Sequence, residues 1–319
     1  MIMIEKKYLV KAFYYPSVFI SSWFSDKLVR NWVLFDNRLW NMVGSLAMVE
    51  ALYRSGRVKF SEGLMESLIS NFVEKRKFIP NYKERYLLAK REKPSFSVSF
   101  PETLRLFLDI LYPLGLKPFL AFGTLLGYER NQGFIPWDLD IDLGIFDDNI
   151  DFQVLIASLE NSPFKILKCS PTRVPFKIKC ALKGGPMIEL VIFKKEGDHL
   201  LTYSALFGET VERKRYAFRL KKATMEGIPV YVPENTTRFL EENYGDWQNP
   251  RSIHHFLFDS QLTDFSKPLI RVYAKKYFYE LLSNGDQQKC RYYLNLFEEK
   301  FSGEQFWKNI GNKLIQHLI

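Results

Sequence analysis

The residues of this 319-residue chain that could do chemistry concentrate in one stretch. Asp138-Leu139-Asp140-Ile141-Asp142-Leu143-Gly144-Ile145 alternates acidic and apolar side chains. In a β-strand the period of two puts Leu139, Ile141, Leu143 and Ile145 on a buried face and Asp138, Asp140 and Asp142 together on the other. Three like charges on one strand face repel each other. That cost is tolerable at a solvated edge or around a hard divalent cation such as Mg²⁺, which takes carboxylate oxygens from the protein and completes its shell with water and phosphate. A second acid, Glu189, sits inside the apolar run Met187-Ile188-Glu189-Leu190-Val191-Ile192-Phe193. Buried and unpaired it would cost several kcal/mol, so it calls for either a metal beside Asp140 and Asp142 or an ion pair with a Lys or Arg. The third feature is Phe122-Gly123-Thr124-Leu125-Leu126-Gly127-Tyr128-Glu129-Arg130. A Gly-Thr at a strand-to-helix junction offers N–H groups and a hydroxyl to phosphate, and Arg130, about two turns on, offers a cation.

These residues need elements to hold them. Residues 118–122 read as a short apolar strand, with a helix beginning at Leu125. A loop of Gly133-Phe134-Ile135-Pro136-Trp137 precedes a strand expected over 138–146, and a helix is expected over 148–160. Residues 102–112 carry Leu104, Phe107, Leu108 and Leu111 at helical spacing, 187–193 form a strand, and Val230-Tyr231-Val232-Pro233 leads into a helix over 236–243. Alternating strands and helices argue α/β or α+β. Before residue 100, helical periodicity is visible around 23–34, 39–53 and 61–77. Residues 79–101, with Pro80, Pro94 and Pro101 among charges, read as a linker, and 264–319 is helical again.

With 47% hydrophobic and 25% charged residues, the chain has the make-up of a globular protein, not of a disordered or fibrous one. Its net charge of +9 is uneven: residues 1–100 carry 17 basic and 9 acidic side chains, the rest 28 and 27. The basic excess is densest at Lys75, Arg76, Lys77, Lys83, Arg85, Lys90, Arg91 and Lys93, and suits either a solvated helix and linker or an anionic membrane or polymer. No nucleic-acid-binding motif accompanies it, so no specific nucleic-acid binding is expected. Three cysteines, Cys169, Cys180 and Cys290, make neither a disulfide framework nor a cysteine zinc site. No apolar run reaches the roughly 18 residues of a membrane span, and the expectation is a cytoplasmic protein, with peripheral contact at the inner membrane surface through the basic region.

Read together, residues 123–142, ending in Phe134-Ile135-Pro136-Trp137-Asp138-Leu139-Asp140-Ile141-Asp142, resemble the signature of the LicD/fukutin family. The strand around Glu189 is similar to the family's later acidic strand, which usually carries Asp, and 189–199 has a fukutin-like flavour. Val232-Pro233-Glu234-Asn235 followed by Phe239 to Trp247 resembles the closing motif with its Tyr-Gly. The resemblance covers about 102–260. It implies an α+β fold: a nucleotidyltransferase-like core with a mixed sheet over 101–260, between a basic, mostly helical region over 1–100 and a helical region over 261–319. It implies a phosphotransferase using Mg²⁺ or Mn²⁺ that moves ribitol phosphate, glycerol phosphate or phosphocholine from a CDP-linked donor to a sugar hydroxyl of a glycan, lipopolysaccharide or capsule acceptor, releasing CMP. On that basis Asp140, Asp142 and Glu189 are expected as metal ligands, with Glu189 alternatively the base and Asp138 in support. Gly123, Thr124 and Arg130 are expected on donor phosphates, and Tyr244 and Trp247 either stack on base or sugar or pack in the core. His199, His254 and His255 are weaker candidates. The competing expectations are transfer of a nucleotide itself, with release of pyrophosphate, and an inert glycan- or membrane-binding module.

Overall fold

A computed structural model of the chain describes residues 40–75, 96–148, 150–169, 176–207 and 209–318. The basic cluster from Arg76 to Lys93, the periodicity at 23–34 and most of the expected linker lie outside these residues. The described chain divides into two compact units. One is helical; the other, residues 91–204 and 210–263, holds the sheet.

The helical unit contains α1 (Trp40–Arg54) and α2 (Val58–Lys75). The sheet unit opens with α3 (Phe100–Leu111), whose N-cap Ser99 accepts from the Glu102 N–H and whose apolar side buries Leu104, Phe107, Leu108 and Leu111. Then follow β1 (Phe119–Leu120), α4 (Phe122–Asn131), β2 (Asp140–Phe146), α5 (Phe152–Glu160), β3 (Phe164–Cys169), β4 (Lys177–Leu182) and β5 (Met187–Glu196). A hairpin of β6 (His199–Leu206) and β7 (Glu209–Tyr216) comes next, then β8 (Leu220–Met225), β9 (Ile228–Pro233) and α6 (Thr236–Tyr244). The helical unit is completed by α7 (Pro268–Asn284), α8 (Gln287–Lys300) and α9 (Gln305–Leu318). Among the described residues no helix is long and apolar enough to cross a membrane.

The sheet runs β3-β4-β5-β2-β1-β9-β8, with β6 joined to the end of β5 and β7 to β6. β2 is parallel to β5 and β1 parallel to β9, while β1–β2, β3–β4, β4–β5 and β8–β9 are antiparallel. This is the mixed sheet of an α+β fold. The acidic strand therefore lies near the middle, between β5 and β1, and not at a solvated edge. Some expected boundaries shift. The strand expected over 118–122 spans Phe119–Leu120, and the helix expected from Leu125 begins at Phe122, with Ala121 as its N-cap. β2 begins at Asp140, with Asp138 in the turn before it, because Asp138 N–H is spent on the Ile135 carbonyl. The helix expected from 148 begins at Phe152, because Asp151 caps it, accepting from Gln153 and Val154 N–H. Most of the strands that flank the site, β3, β4, β6, β7 and β8, lie in segments where no strand is expected above.

β2 has two different faces. Ile141, Leu143 and Ile145 are buried with Leu190, Ile188 and the apolar side of α3. The other face runs Asp140, Asp142, Gly144, Phe146, changing from carboxylate to aromatic along one strand. At Gly144 the ring of Phe119 fills the space a side chain would take: an added Cβ would lie 2.3 Å from it. Phe119 packs 5.3 Å from Phe146, 5.1 Å from Phe193 and 5.5 Å from Phe218, ring centre to ring centre, and Phe218 packs 5.6 Å from Phe239 of α6. These rings form an aromatic wall beside the carboxylates.

In the helical unit the central polar feature is Lys275 of α7, whose side chain is 1% exposed. Its Nζ lies 2.6 Å from Glu62, 2.7 Å from Glu66 and 2.8 Å from Glu304. Around it Phe278, Tyr293, Phe297 and Trp307 are buried.

Gly144→Ala is expected to destabilise the protein by about 1–3 kcal/mol, because Phe119 and Phe193 must move to admit one methyl group. Urea unfolding of the variant against the parent measures this, and an unchanged midpoint would contradict the packing.

Candidate active site

The site grows from a tight junction between β1 and α4. Ala121 N–H donates to the carbonyl of Asp142 (3.1 Å), Asp142 N–H donates to Thr124 Oγ1 (2.8 Å), and Gly123 N–H donates to Asp142 Oδ2 (2.9 Å). One residue of β2 is thus held by three residues of the elbow, Ala121, Gly123 and Thr124. The elbow pays in backbone strain: Phe122 has φ of +42°, a region that bulky residues avoid. Its ring is fixed against Phe239 (5.6 Å) and Phe193 (6.2 Å). Gly123 has to be glycine for space, since a Cβ there would lie 2.9 Å from Asp138 Oδ2 and 3.1 Å from Asp142 Oδ2. The elbow brings backbone up to the carboxylates, where a ligand held by those carboxylates would also meet it.

The carboxylates are crowded. Burial, reinforced by Asp138 and Glu189, raises Asp140 to about 6, and burial also raises Asp138. Asp138 and Asp140 share a hydrogen bond, and Asp138 Oδ1 accepts from Leu139 N–H at 3.0 Å. Asp142 is pushed well above the usual carboxylate range by burial and by Asp140 and Glu189, with only the Gly123 N–H opposing. Glu189 behaves differently. From β5 it lies directly across from Asp142 on β2 and from Lys179 on β4. Its Oε2 is 2.7 Å from Lys177 Nζ and its Oε1 pairs with Lys179. Burial works to raise Glu189, but the two lysines outweigh it and hold the group below the ordinary range. The row Lys179–Glu189–Asp142 is therefore a charge ladder across three strands, negative on balance at Asp142.

Of the two solutions open to Glu189, the structure shows the ion pair. Among the described residues, the acids whose ligating atoms come within 4.8 Å of one another in a set of three are Glu62, Glu66 and Glu304, which already surround Lys275. Asp140, Asp142 and Glu189 do not make such a set. The donor set that fits a divalent cation is Asp140 and Asp142, two desolvated carboxylates whose repulsion no ammonium group pairs off directly, with the remaining positions left to water and phosphate.

The other expected residues fall into place unevenly. Thr124 is 2% exposed and its hydroxyl is engaged by Asp142 N–H, so it builds the elbow. Arg130 donates through Nε to the Trp247 carbonyl (2.7 Å) and through a terminal nitrogen to the same carbonyl and to Asn249 O (3.4 Å). Its fork ties α4 to the 245–249 loop. Trp247 is buried in the core, which decides its reading in favour of packing. Burial and the charges of Asp142 and Asp138 raise the Tyr244 hydroxyl well above the usual phenol range. His254 packs on it at 4.8 Å. His199 stacks at 5.0 Å on Tyr216, and His255 is held between Phe256 and Phe258. Sequence reasoning missed Lys177 and Lys179, and also Arg213, buried beside Tyr244. The alternation Lys177-Ile178-Lys179-Cys180 is a visible strand signal, yet nothing in it says that β4 pairs with the strand of Glu189.

The elbow, a strained strand-to-helix turn, clasps the acidic strand. Residues 115–235 match the family model described as LicD/FKTN/FKRP, nucleotidyltransferase domain. It is 31% identical over 158 residues to the mouse protein named ribitol-5-phosphate transferase FKTN, a match covering 47% of this chain and 33% of that protein. It is 30% identical over 168 residues to an uncharacterized protein of Rickettsia typhi, covering 50% of this chain and 51% of the other. Over 66 residues it is 36% identical to human ribitol 5-phosphate transferase FKRP, 13% of that protein. The chain thus matches about a third to a half of the length of the longer-matching relatives.

The carboxylate crowding has a pH signature. Asp140 binds its proton more tightly folded than unfolded, so its contribution to stability is complete below about pH 4 and is lost as pH rises through about 6. In chelator, Asp140→Asn is therefore expected to be more stable than the parent at pH 7.5, by on the order of 1–3 kcal/mol, with the difference shrinking toward pH 4. Thermal melts at the two pH values measure it, and a variant less stable at pH 7.5 would contradict the assignment.

Proposed function

We propose that the chain is a metal-dependent phosphotransferase that moves a phospho-substituent from a CDP-linked donor to a hydroxyl of a glycan acceptor, releasing CMP. Ribitol phosphate is the cargo, by analogy with the named activities of the relatives. The observation that carries this reading is the pair Asp140 and Asp142, both desolvated and without an ion pair among the described residues, with Asp142 clasped by the elbow. In this reading Asp140 and Asp142 hold Mg²⁺ or Mn²⁺. Such an ion supplies charge neutralisation for the donor diphosphate and for the leaving CMP.

The chain's own residues do the rest. Lys177 and Lys179, each about 30% exposed, turn part of their charge toward an incoming diphosphate. Glu189 keeps the two ammonium groups in place. Held below the ordinary carboxylate range, it is a poor proton acceptor, and the role of base passes to Asp138, whose proton affinity is raised and which stands outside the strand beside Asp140. The Gly123 N–H fixes the orientation of Asp142, and Arg130 positions the loop after Tyr244.

The test is CMP release from CDP-ribitol, CDP-glycerol and CDP-choline with candidate glycan acceptors, with Mg²⁺, Mn²⁺ or chelator. Metal-dependent CMP from CDP-ribitol, abolished in Asp142→Asn, is the expected outcome. Pyrophosphate from nucleoside triphosphates without CMP from any donor would replace this reading with nucleotide transfer. Asp138→Asn is expected to lower kcat by about 10²- to 10⁴-fold with little change in KM for the donor. Lys179→Met is expected mainly to raise that KM. A Glu189→Gln variant that loses activity as severely as Asp138→Asn, with a shifted pH profile, would return the base to Glu189.

A further inference from the structure

The sheet unit holds a cleft of about 820 Å³ whose lining includes Phe146, Phe218 and Phe239 of the aromatic wall and none of Asp138, Asp140, Asp142 and Glu189. It is bounded by the end of β2 and β5, the segment 216–221 and the first two turns of α6. Four cations line it: Lys195, Arg219, Lys221 and Arg238. Their partners are few. Among the described residues neither Arg219 nor Lys221 has a carboxylate within 4.0 Å, and Lys195 reaches Asp148 only at 3.8 Å, with both side chains half exposed. Arg238 is held in place from two directions. Its guanidinium lies 4.4 Å from the centre of the Tyr216 ring, which in turn stacks on His199, and its Nε is 3.3 Å from Glu242 Oε1. The carboxylates of the lining are Asp148, Glu234 and Glu242.

A second observation points the same way. Behind the lining residues Phe239 and Glu242 lies Arg215, whose side chain is fully buried. It sits 4.3 Å over the Phe239 ring, and Asn243 Oδ1 accepts from one terminal nitrogen at 3.2 Å. Its Nε and its other terminal nitrogen have no hydrogen-bond partner, and Glu242 is 3.7 Å away. A buried guanidinium with two unsatisfied nitrogens is costly. Glu242 is shared between it and Arg238, which leaves Arg219 and Lys221 as the cations of the lining with no carboxylate partner among the described residues. With Arg215 counted, cations around the cleft outnumber carboxylates five to three.

We propose that this cleft is a second binding site, for a phosphate-bearing polyol or sugar unit of the acceptor chain, separate from the site of transfer. The proposal rests on the glycan-acceptor reading above. Phosphate matches forked guanidinium donors, and the carboxylates of Asp148 and Glu234 and the hydroxyl of Thr237 suit the hydroxyls of a polyol. α6 connects the two places: Thr236 and Thr237 line the cleft, and Tyr244, about 12 Å further along the helix, stands beside Asp142. An acceptor held in the cleft by one unit could present a later unit at the carboxylates.

The experiment is isothermal titration of the full chain, in chelator, with ribitol 5-phosphate, inorganic phosphate, ribitol and CDP. The variants are Asp142→Asn and the exposed pair Arg219→Ala/Lys221→Ala, with circular dichroism to confirm folding. The expected result is that ribitol 5-phosphate binds more tightly than inorganic phosphate, that ribitol does not bind, and that the double variant weakens binding about tenfold or more while Asp142→Asn leaves it unchanged. No binding of ribitol 5-phosphate at millimolar concentration, binding untouched by the double variant, or tighter binding of CDP that the double variant abolishes would each overturn the proposal. Because binding is read without transfer, failure of the cleft and failure of the proposed reaction are distinguishable. Should CMP release also be established, the double variant should raise KM for the acceptor and leave KM for the CDP-linked donor as it was.

Discussion

The clasp between Asp142 and the elbow at Ala121–Thr124 is the constraint on which the rest of the site depends. Backbone carbonyl, backbone amide and side chain of one aspartate are each engaged by a different elbow residue. Three hydrogen bonds on one residue fix the register of β1 against β2, the start of α4 and the direction of the carboxylate together. They also offset the positive φ at Phe122, which would otherwise relax and withdraw Gly123 from the carboxylates. Strain at a functional turn persists only where surrounding contacts over-determine it, and here the rings of Phe193 and Phe239 complete that enclosure.

The second constraint is the change of character along β2. On one face, within seven residues, the strand passes from two carboxylates through Gly144 to Phe146. The aromatic wall built on Phe119 keeps water from one side of the acids, and that desolvation gives Asp140 and Asp142 their raised proton affinity. Glu189 is desolvated as well, but the two ammonium groups that β4 supplies outweigh its burial. The sheet therefore sorts its acids into a pair with raised proton affinity and one held in its charged form.

Arg130, Arg213 and Arg215 show how an α+β domain of this kind stiffens the loops around such a site. Arg130 holds backbone carbonyls beyond α6, Arg213 donates to Ser204 and the Phe256 carbonyl, and Arg215 reaches Asn243. Each anchors a segment adjoining Tyr244, so the polar side of the site is as closely specified as its aromatic side.

Much of this was legible in the residues alone. Alternation over 138–145 and the apolar run around Glu189 announced strands, and helical spacing announced α3, α6 and the C-terminal helices, because these periodicities depend only on neighbours a few positions away. The glycine-threonine elbow and the acidic strand identified the family resemblance for the same local reason. The sequence alone, however, left Glu189 between metal and ion pair, Trp247 between ligand and core, and Arg130 on phosphate. Those outcomes depend on which strands lie side by side. Lys177 and Lys179 meet Glu189 only because β4 is antiparallel to β5 in one register, and Asp142 meets Glu189 only because β2 is parallel to β5. Strand order and register are set by packing the whole sheet, so the charge on each acid was decided by the tertiary structure.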